Sequence, residues 1–274
     1  MKRPISSSIF ASILLLSSSL LEARDLEIVA HRGANHLAPE NTFAAAEICV
    51  DLGIDYVEID VRTSKDGVLY VIHDSKLDRT TDGTGLVAIR DSSYIDSLDA
   101  GSWFSPEYTG EKVPRLEAFL ERFRGRIKIY FDVKDADLNK LVSLVHKYGY
   151  TNNCFFWFSK DERARDFRSI DNRIPLKMNA VDVDGLRRAL DYSPQIIEYR
   201  LPNLTPDFVA FARTHGLKLM AHALGEGSDS LYPQIIESAA DMVNLDKADS
   251  MIELLKVESS KSKGERSDAS KTRE

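Results

Sequence analysis

Residues 56–74 read YVEIDVRTSKDGVLYVIHD, two apolar runs separated by a polar turn at 64–67. A parallel crossover needs a dozen or more residues, so a link this short can only be a hairpin between antiparallel strands. Side chains at i and i+2 of a strand point to the same side, which places Glu58 and Asp60 on one face. The second strand then returns His73 to the edge of the sheet that carries these carboxylates.

Outward from this hairpin, apolar and β-branched runs alternate with segments of helical period, as is typical of a parallel sheet wrapped by helices. Eight strands in parallel units are predicted, at about 27–31, 56–61, 127–133, 153–158, 174–178, 195–200, 217–222 and 241–245. Helices are predicted to follow them at about 41–52, 115–124, 137–148, 160–169, 182–191, 205–215, 229–239 and 248–256. This pattern indicates the α/β class and a closed (β/α)8 TIM barrel, with the hairpin after strand 2.

Residues 75–114 form a small insertion before helix 2 that is rich in Asp, Gly, Ser and Thr. No helical or strand period in it is long enough for a separate domain. We expect a cap over one side of the barrel mouth. Its aromatic residues Trp103, Phe104 and Tyr108 either pack on the barrel or line a substrate groove.

Both ends of the chain differ in composition from the domain predicted at 24–256. Lys2 and Arg3 precede an uncharged, largely apolar stretch that is too short for a spanning helix, which predicts a signal peptide at 1–23. The protein is then exported, periplasmic or secreted, and has no membrane span after processing; an uncleaved anchor is the alternative. Residues 257–274 alternate Ser, Lys, Glu and Arg, which predicts a disordered charged tail.

The net charge narrows the classes of binding partner. A formal net charge of −7 argues against nucleic acid as a partner, although a small phosphate-bearing substrate remains compatible with it.

Cys49 and Cys154 are the only cysteines. We expect two buried thiols, while an exported protein could also pair them in a disulfide.

The residues at the predicted strand ends suit metal-assisted acid/base chemistry. His31 and His73 each close an apolar run, and imidazole exchanges protons near neutral pH. The carboxylates of Glu58 and Asp60 are hard oxygen ligands of the kind that Ca²⁺ and Mg²⁺ prefer. In the third strand, Asp132 and Lys134 share one face. They either add a third carboxylate and a cation to the site or form a structural ion pair.

Seven ordered motifs give the chain a resemblance to the glycerophosphodiester phosphodiesterases, dense from about residue 27 to 120 and thin beyond 134. They are His31-Arg32-Gly33, Pro39-Glu40-Asn41-Thr42, Glu58-Ile59-Asp60-Val61, Lys65-Asp66-Gly67, His73-Asp74, Leu77-Asp78-Arg79-Thr80-Thr81 and Gly101-Ser102-Trp103-Phe104. The resemblance implies metal-dependent hydrolysis of a glycerophosphodiester to glycerol 3-phosphate and an alcohol. The implied cofactor is a divalent ion, Ca²⁺ or Mg²⁺, and the implied partner is this small-molecule substrate.

Carried over by position, the resemblance implies a role for each site residue. The metal ligands would be Glu58 and Asp60, with Asp132 where the family often has Glu. The acid/base pair would be His31 and His73, without a decision on which is the acid. The phosphate contacts would be Arg32 and Lys134. Glu40 and His222 would support these groups or touch the substrate.

Other polar residues have simpler interpretations. Asn41 is expected to cap the first helix. His36 is expected to be solvated, and His146 and His215 to lie on the surface. The segments at 219–223 and 243–246 depart from the family pattern in the part of the pocket that would hold the alcohol group.

Two alternatives stay open beside the phosphodiesterase hypothesis. One is a phospholipase D-like activity on lysolipid or sphingolipid head groups, with the insertion's aromatic residues contacting an acyl chain. The other is a phosphate-ligand-binding protein without activity on the same scaffold. The sequence leaves the head group, the physiological metal and the oligomeric state undecided.

Overall fold

The computed structural model describes the backbone of residues 26–271 and the side chains of 26–260, so the predicted signal peptide lies outside the described residues. The strands in this part of the chain are β1 (Glu27–Ala30), β2 (Tyr56–Thr63), β3 (Leu69–Val71), β4 (Lys128–Val133), β5 (Cys154–Trp157), β6 (Lys177–Asn179), β7 (Ile196–Tyr199), β8 (Lys218–Ala223) and β9 (Met242–Leu245).

Eight of these strands form one parallel sheet that curves into a nearly closed barrel. Their order is β5-β4-β2-β1-β9-β8-β7-β6, and β3 pairs with β2 outside this path. A parallel bridge between Phe156 and Leu176 connects β5 to the segment before β6, with the Phe156 N–H donating to the Pro175 carbonyl at 3.0 Å. The predicted (β/α)8 TIM barrel is confirmed.

Helices alternate with the strands. They are α1 (Phe43–Asp51), α2 (Ser92–Ser97), α3 (Leu116–Phe123), α4 (Leu138–Lys147), α5 (Asp161–Ile170), α6 (Val183–Ala189), α7 (Pro206–Thr214), α8 (Tyr232–Glu237) and α9 (Ala248–Lys271). The Asp137, Asp182 and Thr205 side chains cap α4, α6 and α7 by accepting a backbone N–H three residues on. The prediction that Asn41 caps α1 is wrong, because the Thr42 hydroxyl accepts the Ala45 N–H at 3.2 Å instead.

The last helix continues past the predicted boundary at residue 256 and ends at Lys271. The prediction of disorder from 257 is therefore wrong for residues 257–271. The segment contains no proline, but its five Ser residues and Gly264 are weak helix formers, so intrinsic propensity does not account for the continuation.

The predicted hairpin is confirmed. Val61 pairs with Val71 and Thr63 with Leu69 in antiparallel register. The Ile72 N–H extends the ladder by donating to the Asp60 carbonyl at 2.9 Å. His73 therefore follows directly from a strand that ends beside Asp60, at the mouth of the barrel.

The insertion at 75–114 packs around a small apolar cluster of its own. Its buried members are Tyr70, Ile72, Leu77, Val87, Ile95, Leu98, Ala100 and Val113. The aromatic rings meet each other: the centroid of Phe104 lies 5.7 Å from that of Trp103 and 5.8 Å from that of Tyr108. The Tyr108 hydroxyl donates to the Leu37 carbonyl at 2.9 Å, which ties the insertion to the loop after β1.

A layer of large apolar side chains fills the barrel interior. We call it the inner floor; its buried members are Val29, Tyr130, Phe155, Ile196, Met220 and Met242. Because strand side chains alternate, the residues two positions further along these strands also point inward, one layer closer to the mouth. That layer contains the polar residues of the site.

Two sequence expectations concern the rest of the described chain. Cys49 and Cys154 are buried free thiols, as predicted, and burial raises the pKa of Cys49 to about 12. Among the helices within residues 26–271, none combines the length and the apolar character that a membrane crossing requires.

Candidate active site

Three carboxylates from neighbouring strands meet at the barrel mouth. Glu58 and Asp60 lie on β2, and Asp132 lies beside Asp60 in the parallel register of β2 and β4. One oxygen of each lies within 4.8 Å of the others, and all three residues are buried. We call these residues the carboxylate cluster.

Two loop residues with left-handed backbone hold the cluster in place. Arg32, at φ 55°, donates its backbone N–H to Glu58 Oε2 at 2.6 Å. Asn41, at φ 59°, donates from Nδ2 to Asp60 Oδ2 at 2.7 Å, and its Oδ1 accepts the Asp60 N–H at 3.1 Å. Asn41 is thus a positioning residue of the site.

Lys134 lies among these carboxylates. Its Nζ is 2.6 Å from Asp132 Oδ2 and 2.9 Å from Asp60 Oδ1. The Asp132–Lys134 ion pair considered from the sequence is present, and it forms inside the site.

The carboxylate cluster holds more negative charge than its cations balance. Burial, followed by the charges of Asp60 and Asp132, raises the pKa of Glu58 well above its ordinary value. Burial and then the charge of Asp60 also raise the pKa of Asp132. Burial opposes ionisation of Asp60 as well, but the nearby cations, Lys134 the strongest, outweigh burial and lower its pKa.

The residues fit a hard divalent cation. Asp132 Oδ1 is buried and, among the described residues, has no hydrogen-bond partner. A buried acceptor without a partner loses about 1–3 kcal/mol, which a bound ion would offset. Carboxylate oxygens on adjacent strands are also the donor set that Ca²⁺ and Mg²⁺ prefer.

Each candidate catalytic histidine is held by an aspartate at Nδ1. His31 Nδ1 lies 2.7 Å from Asp246 Oδ1, and His73 Nδ1 lies 2.7 Å from Asp74 Oδ1. A carboxylate at Nδ1 favours the tautomer with its proton on that nitrogen, which leaves Nε2 as the basic atom. The arrangement is that of two oriented acid/base groups.

Further contacts keep both aspartates ionised. Asp246 accepts from Asn35 Nδ2 and from the Gly225 N–H, each at 2.8 Å. Burial opposes its ionisation, but His31 and these donors hold its pKa well below the usual range. The bonds from Arg79, together with His73, likewise hold the pKa of Asp74 low. The sequence interpretation assigned no role to either aspartate.

Arg32 and Glu40 belong to the same side of the mouth. Arg32 Nη1 donates to Glu40 Oε1 at 3.0 Å, and its Nε lies 3.6 Å from Asp60 Oδ2. Arg79 makes two 2.8 Å bonds to the same Glu40 carboxylate and also bonds Asp74. Glu40 therefore links Arg32 to the residue that positions the His73–Asp74 pair.

A second polar group lies across the mouth, on β6 to β9. We call it the mixed-charge cluster: Lys177, Glu198, His222 and Asn244. The Lys177 ammonium donates to Glu198 Oε2. Glu198 Oε1 lies 3.0 Å from His222 Nδ1 and accepts from Asn244 Nδ2 at 3.3 Å. Of these four, His222 was predicted near the mouth and Asn244 lies in the segment 243–246 that was assigned to the pocket, whereas Lys177 and Glu198 were not predicted there.

Of the remaining histidines, His36 contacts Asp246 from outside the mouth, with its Nδ1 3.0 Å from the Asp246 carbonyl oxygen. His36 Nε2 lies 2.8 Å from Asp249 Oδ1, so it is paired instead of simply solvated. His146 Nε2 lies 2.7 Å from Asp171 Oδ2. The exposed His215 ring stacks on Phe211 at the end of α7.

Comparison with known proteins identifies related sequences and folds. Residues 31–172 match the model of the glycerophosphoryl diester phosphodiesterase family. A glycerophosphodiester phosphodiesterase of Bacillus subtilis is 30% identical over 247 residues, which are 83% of this chain and 82% of that protein. The putative glycerophosphodiester phosphodiesterase YhdW of the same organism is 45% identical over 107 residues, 39% of this chain and 44% of that protein.

Solved structures share the whole barrel. The chain is similar to a glycerophosphodiester phosphodiesterase from Agrobacterium tumefaciens, with a TM-score of 0.77 and 39% identity over 83% of this chain and 99% of that one. An Oleispira antarctica phosphodiesterase, in complex with the product sn-glycerol-3-phosphate, has a TM-score of 0.75 at 24% identity, over 84% of this chain and 96% of that one. At that identity the second likeness shows the fold alone.

Proposed function

Because this chain belongs to the glycerophosphoryl diester phosphodiesterase family, we propose that it hydrolyses glycerophosphodiesters to glycerol 3-phosphate and an alcohol. The observation that supports this most directly is the meeting of two aspartate-held histidines and three buried carboxylates at one barrel mouth. Active sites of such barrels lie at this end. The product named for the Oleispira antarctica phosphodiesterase is consistent with the proposal.

The proposal includes a divalent metal, Ca²⁺ or Mg²⁺, held by Glu58, Asp60 and Asp132. When bound, such an ion would neutralise charge on the nonbridging phosphate oxygens. Lys134 already pairs with Asp60 and Asp132, so it is placed to contact a phosphate bound there. Arg32 would be the second phosphate contact, because its guanidinium lies beside Asp60.

His31 and His73 are the proposed acid/base pair. Hydrolysis must take a proton from the nucleophile and give one to the leaving oxygen, so two imidazoles cover the two transfers. Asp246 and Asp74 orient the rings and stabilise the imidazolium form of each. Glu40 positions Arg32 and Arg79 at the same edge.

Export is part of the proposal and rests on the sequence alone. Lys2 and Arg3 before the apolar stretch at 9–21 support a cleaved signal. Cell fractionation with N-terminal sequencing of the mature chain tests it. A mature protein that begins at residue 1 in the cytoplasm would contradict this part of the proposal.

Product analysis tests the function. The full-length protein is incubated with glycerophosphocholine, glycerophosphoethanolamine, glycerophosphoglycerol and lysophosphatidylcholine, with EDTA and then with Ca²⁺, Mg²⁺ or Mn²⁺ restored. We expect glycerol 3-phosphate from the deacylated diesters, loss of turnover in EDTA and recovery with metal. Faster turnover of lysophosphatidylcholine would favour the phospholipase D-like alternative, and ligand binding without product would favour the binding protein.

A further inference from the structure

The mixed-charge cluster lines the barrel mouth at the same height as the carboxylate cluster. Glu198, His222 and Asn244 each follow an inner-floor residue by two positions on β7, β8 and β9. On β4, Asp132 follows the inner-floor residue Tyr130 in the same way. Alternation along the strands therefore directs both clusters into one mouth.

The cluster is balanced in charge. The Glu198 carboxylate faces the Lys177 ammonium, and both are buried. Burial opposes ionisation of Glu198, but Lys177 and His222 outweigh burial and hold its pKa well below the usual range. A balanced ion pair offers no net attraction to a metal ion or to a cationic head group. It offers hydrogen bonds.

One acceptor in the cluster is unused. Asn244 is 3% exposed, and its Oδ1, among the described residues, has no hydrogen-bond partner. Its Nδ2 donates to Glu198, so the amide lies within the cluster. Buried polar atoms in native proteins nearly always have a partner, so this oxygen is an available acceptor for a ligand hydroxyl. His222, 24% exposed, is the member most accessible to such a ligand.

Trp157 joins the two clusters. The centroid of one of its rings lies 4.5 Å from Lys177 Nζ and 6.0 Å from Lys134 Nζ. Lys134 is the proposed phosphate contact, so an ester substituent on a phosphate held there has the mixed-charge cluster as its neighbour.

We propose that Glu198, His222 and Asn244 bind the hydroxyl groups of the substrate's glycerol moiety, with Lys177 holding Glu198 in position. The inference rests on the proposed function. Glycerol is neutral and rich in hydroxyls, which matches a balanced cluster with a free acceptor. It is also the group common to every substrate of the proposed class, whereas the departing alcohol varies.

The test compares two substrates with one leaving group. Glycerol 3-(p-nitrophenyl phosphate) and methyl p-nitrophenyl phosphate both release p-nitrophenol, so they differ only in the moiety that stays on phosphorus. The measured quantity is kcat/KM for the glycerol diester divided by kcat/KM for the methyl diester. A general loss of folded enzyme lowers both values equally, so it leaves this ratio unchanged. We expect the native protein to favour the glycerol diester by at least about 10-fold, and Glu198→Gln and His222→Leu each to lower this ratio about 10-fold.

Glu27→Gln is the matched control. Glu27 also bonds two lysines, Lys128 and Lys218, but it begins β1, at the opposite end of the barrel. Its replacement should leave the ratio unchanged. Inhibition by glycerol 3-phosphate relative to methyl phosphate gives a second readout, and the same two variants should lose the preference for glycerol 3-phosphate.

The outcomes separate this inference from the proposed function. If the native protein hydrolyses glycerophosphocholine but neither variant changes the ratio, the glycerol assignment is overturned while the function stands. A change in selectivity among leaving alcohols, with the ratio constant, would overturn it as well. If the native protein hydrolyses no glycerophosphodiester, the proposed function fails first.

Discussion

The two polar clusters at the barrel mouth are built from the same side-chain chemistry and differ in charge balance. In the carboxylate cluster three acids share Lys134, and the pKa values of Glu58 and Asp132 are raised. In the mixed-charge cluster one acid faces one lysine, and the pKa of Glu198 is lowered. A cluster with surplus negative charge gains by taking up a cation, whereas a balanced cluster has no net charge with which to attract one.

The largest expected effect is on the carboxylate cluster. Asp60→Asn should lower kcat/KM at least about 10³-fold, because removing a ligand charge forfeits several kcal/mol of transition-state stabilisation. Both p-nitrophenyl substrates should lose the same factor, unlike the selective loss expected in the mixed-charge cluster. Asp51→Asn, on the exposed end of α1, is the control. Retention of metal-dependent activity in Asp60→Asn would contradict the site.

The proposed acid/base pair, His31 and His73, should show the next largest effect. His31→Ala and His73→Ala should each lower turnover of glycerophosphocholine at least about 10²-fold with folding intact, since a general acid or base contributes roughly 10²- to 10⁴-fold. His215→Ala, at the opposite end of the barrel, should retain activity. Steady-state kinetics with circular dichroism as the folding check decide the matter. Normal turnover in either mouth variant refutes the assignment.

The balanced cluster should contribute to stability at neutral pH. Glu198→Gln should lower the free energy of unfolding by about 3 kcal/mol at pH 7, because it leaves Lys177 buried without its charge partner. Glu198 has a lowered pKa, so its contribution is present above its ordinary value of 4.5 and is lost as the pH falls below that value. Urea unfolding of both proteins from pH 7 to pH 3 should therefore show the difference shrinking in acid. A constant difference would contradict the ion pair.

The two aspartates that hold the histidines should matter less than the rings. Asp246→Asn and Asp74→Asn should each lower kcat about 10- to 30-fold, because an amide can hold the ring but does not stabilise imidazolium. The pH–rate profile is the decisive readout, because only a carboxylate stabilises the positively charged ring that proton transfer creates. An unchanged profile would reduce these residues to a structural role.

These aspartates also show what the sequence could and could not predict. His31, His73, Glu58 and Asp60 were predictable because strand alternation and the short turn at 64–67 fix their common edge. Asp246 lies 215 residues from His31, and only closure of the barrel brings β1 beside β9. Its only local signal is its position directly after a buried strand.

Lys177 and Glu198 of the mixed-charge cluster were missed for a related reason. Lys177 and Glu198 lie in strands of three and four residues, where a single charge is easily taken for an edge residue. Each is tolerated in the core only because the other is there. The available sequence signal was a charged side chain at an inward position of a buried strand. Such a residue predicts that an oppositely charged partner lies nearby, but it does not identify which residue that partner is.

The smallest expected effect is a change in stability, caused by Glu58→Gln in the carboxylate cluster. Glu58→Gln replaces an acid whose ionisation burial, Asp60 and Asp132 oppose, and the amide oxygen can still accept the Arg32 N–H. In EDTA we expect this variant to be more stable than the native protein by about 1 kcal/mol, a rise in Tm of about 2 to 4 °C. Calcium should then stabilise the native protein more than the variant, because an ion that binds only the folded state adds stability by mass action. Thermal unfolding of both proteins, with EDTA and with calcium, measures this. A loss of stability in EDTA would mean that Lys134 and Arg32 already balance the three acids, and the cluster would then have no surplus charge with which to attract a cation.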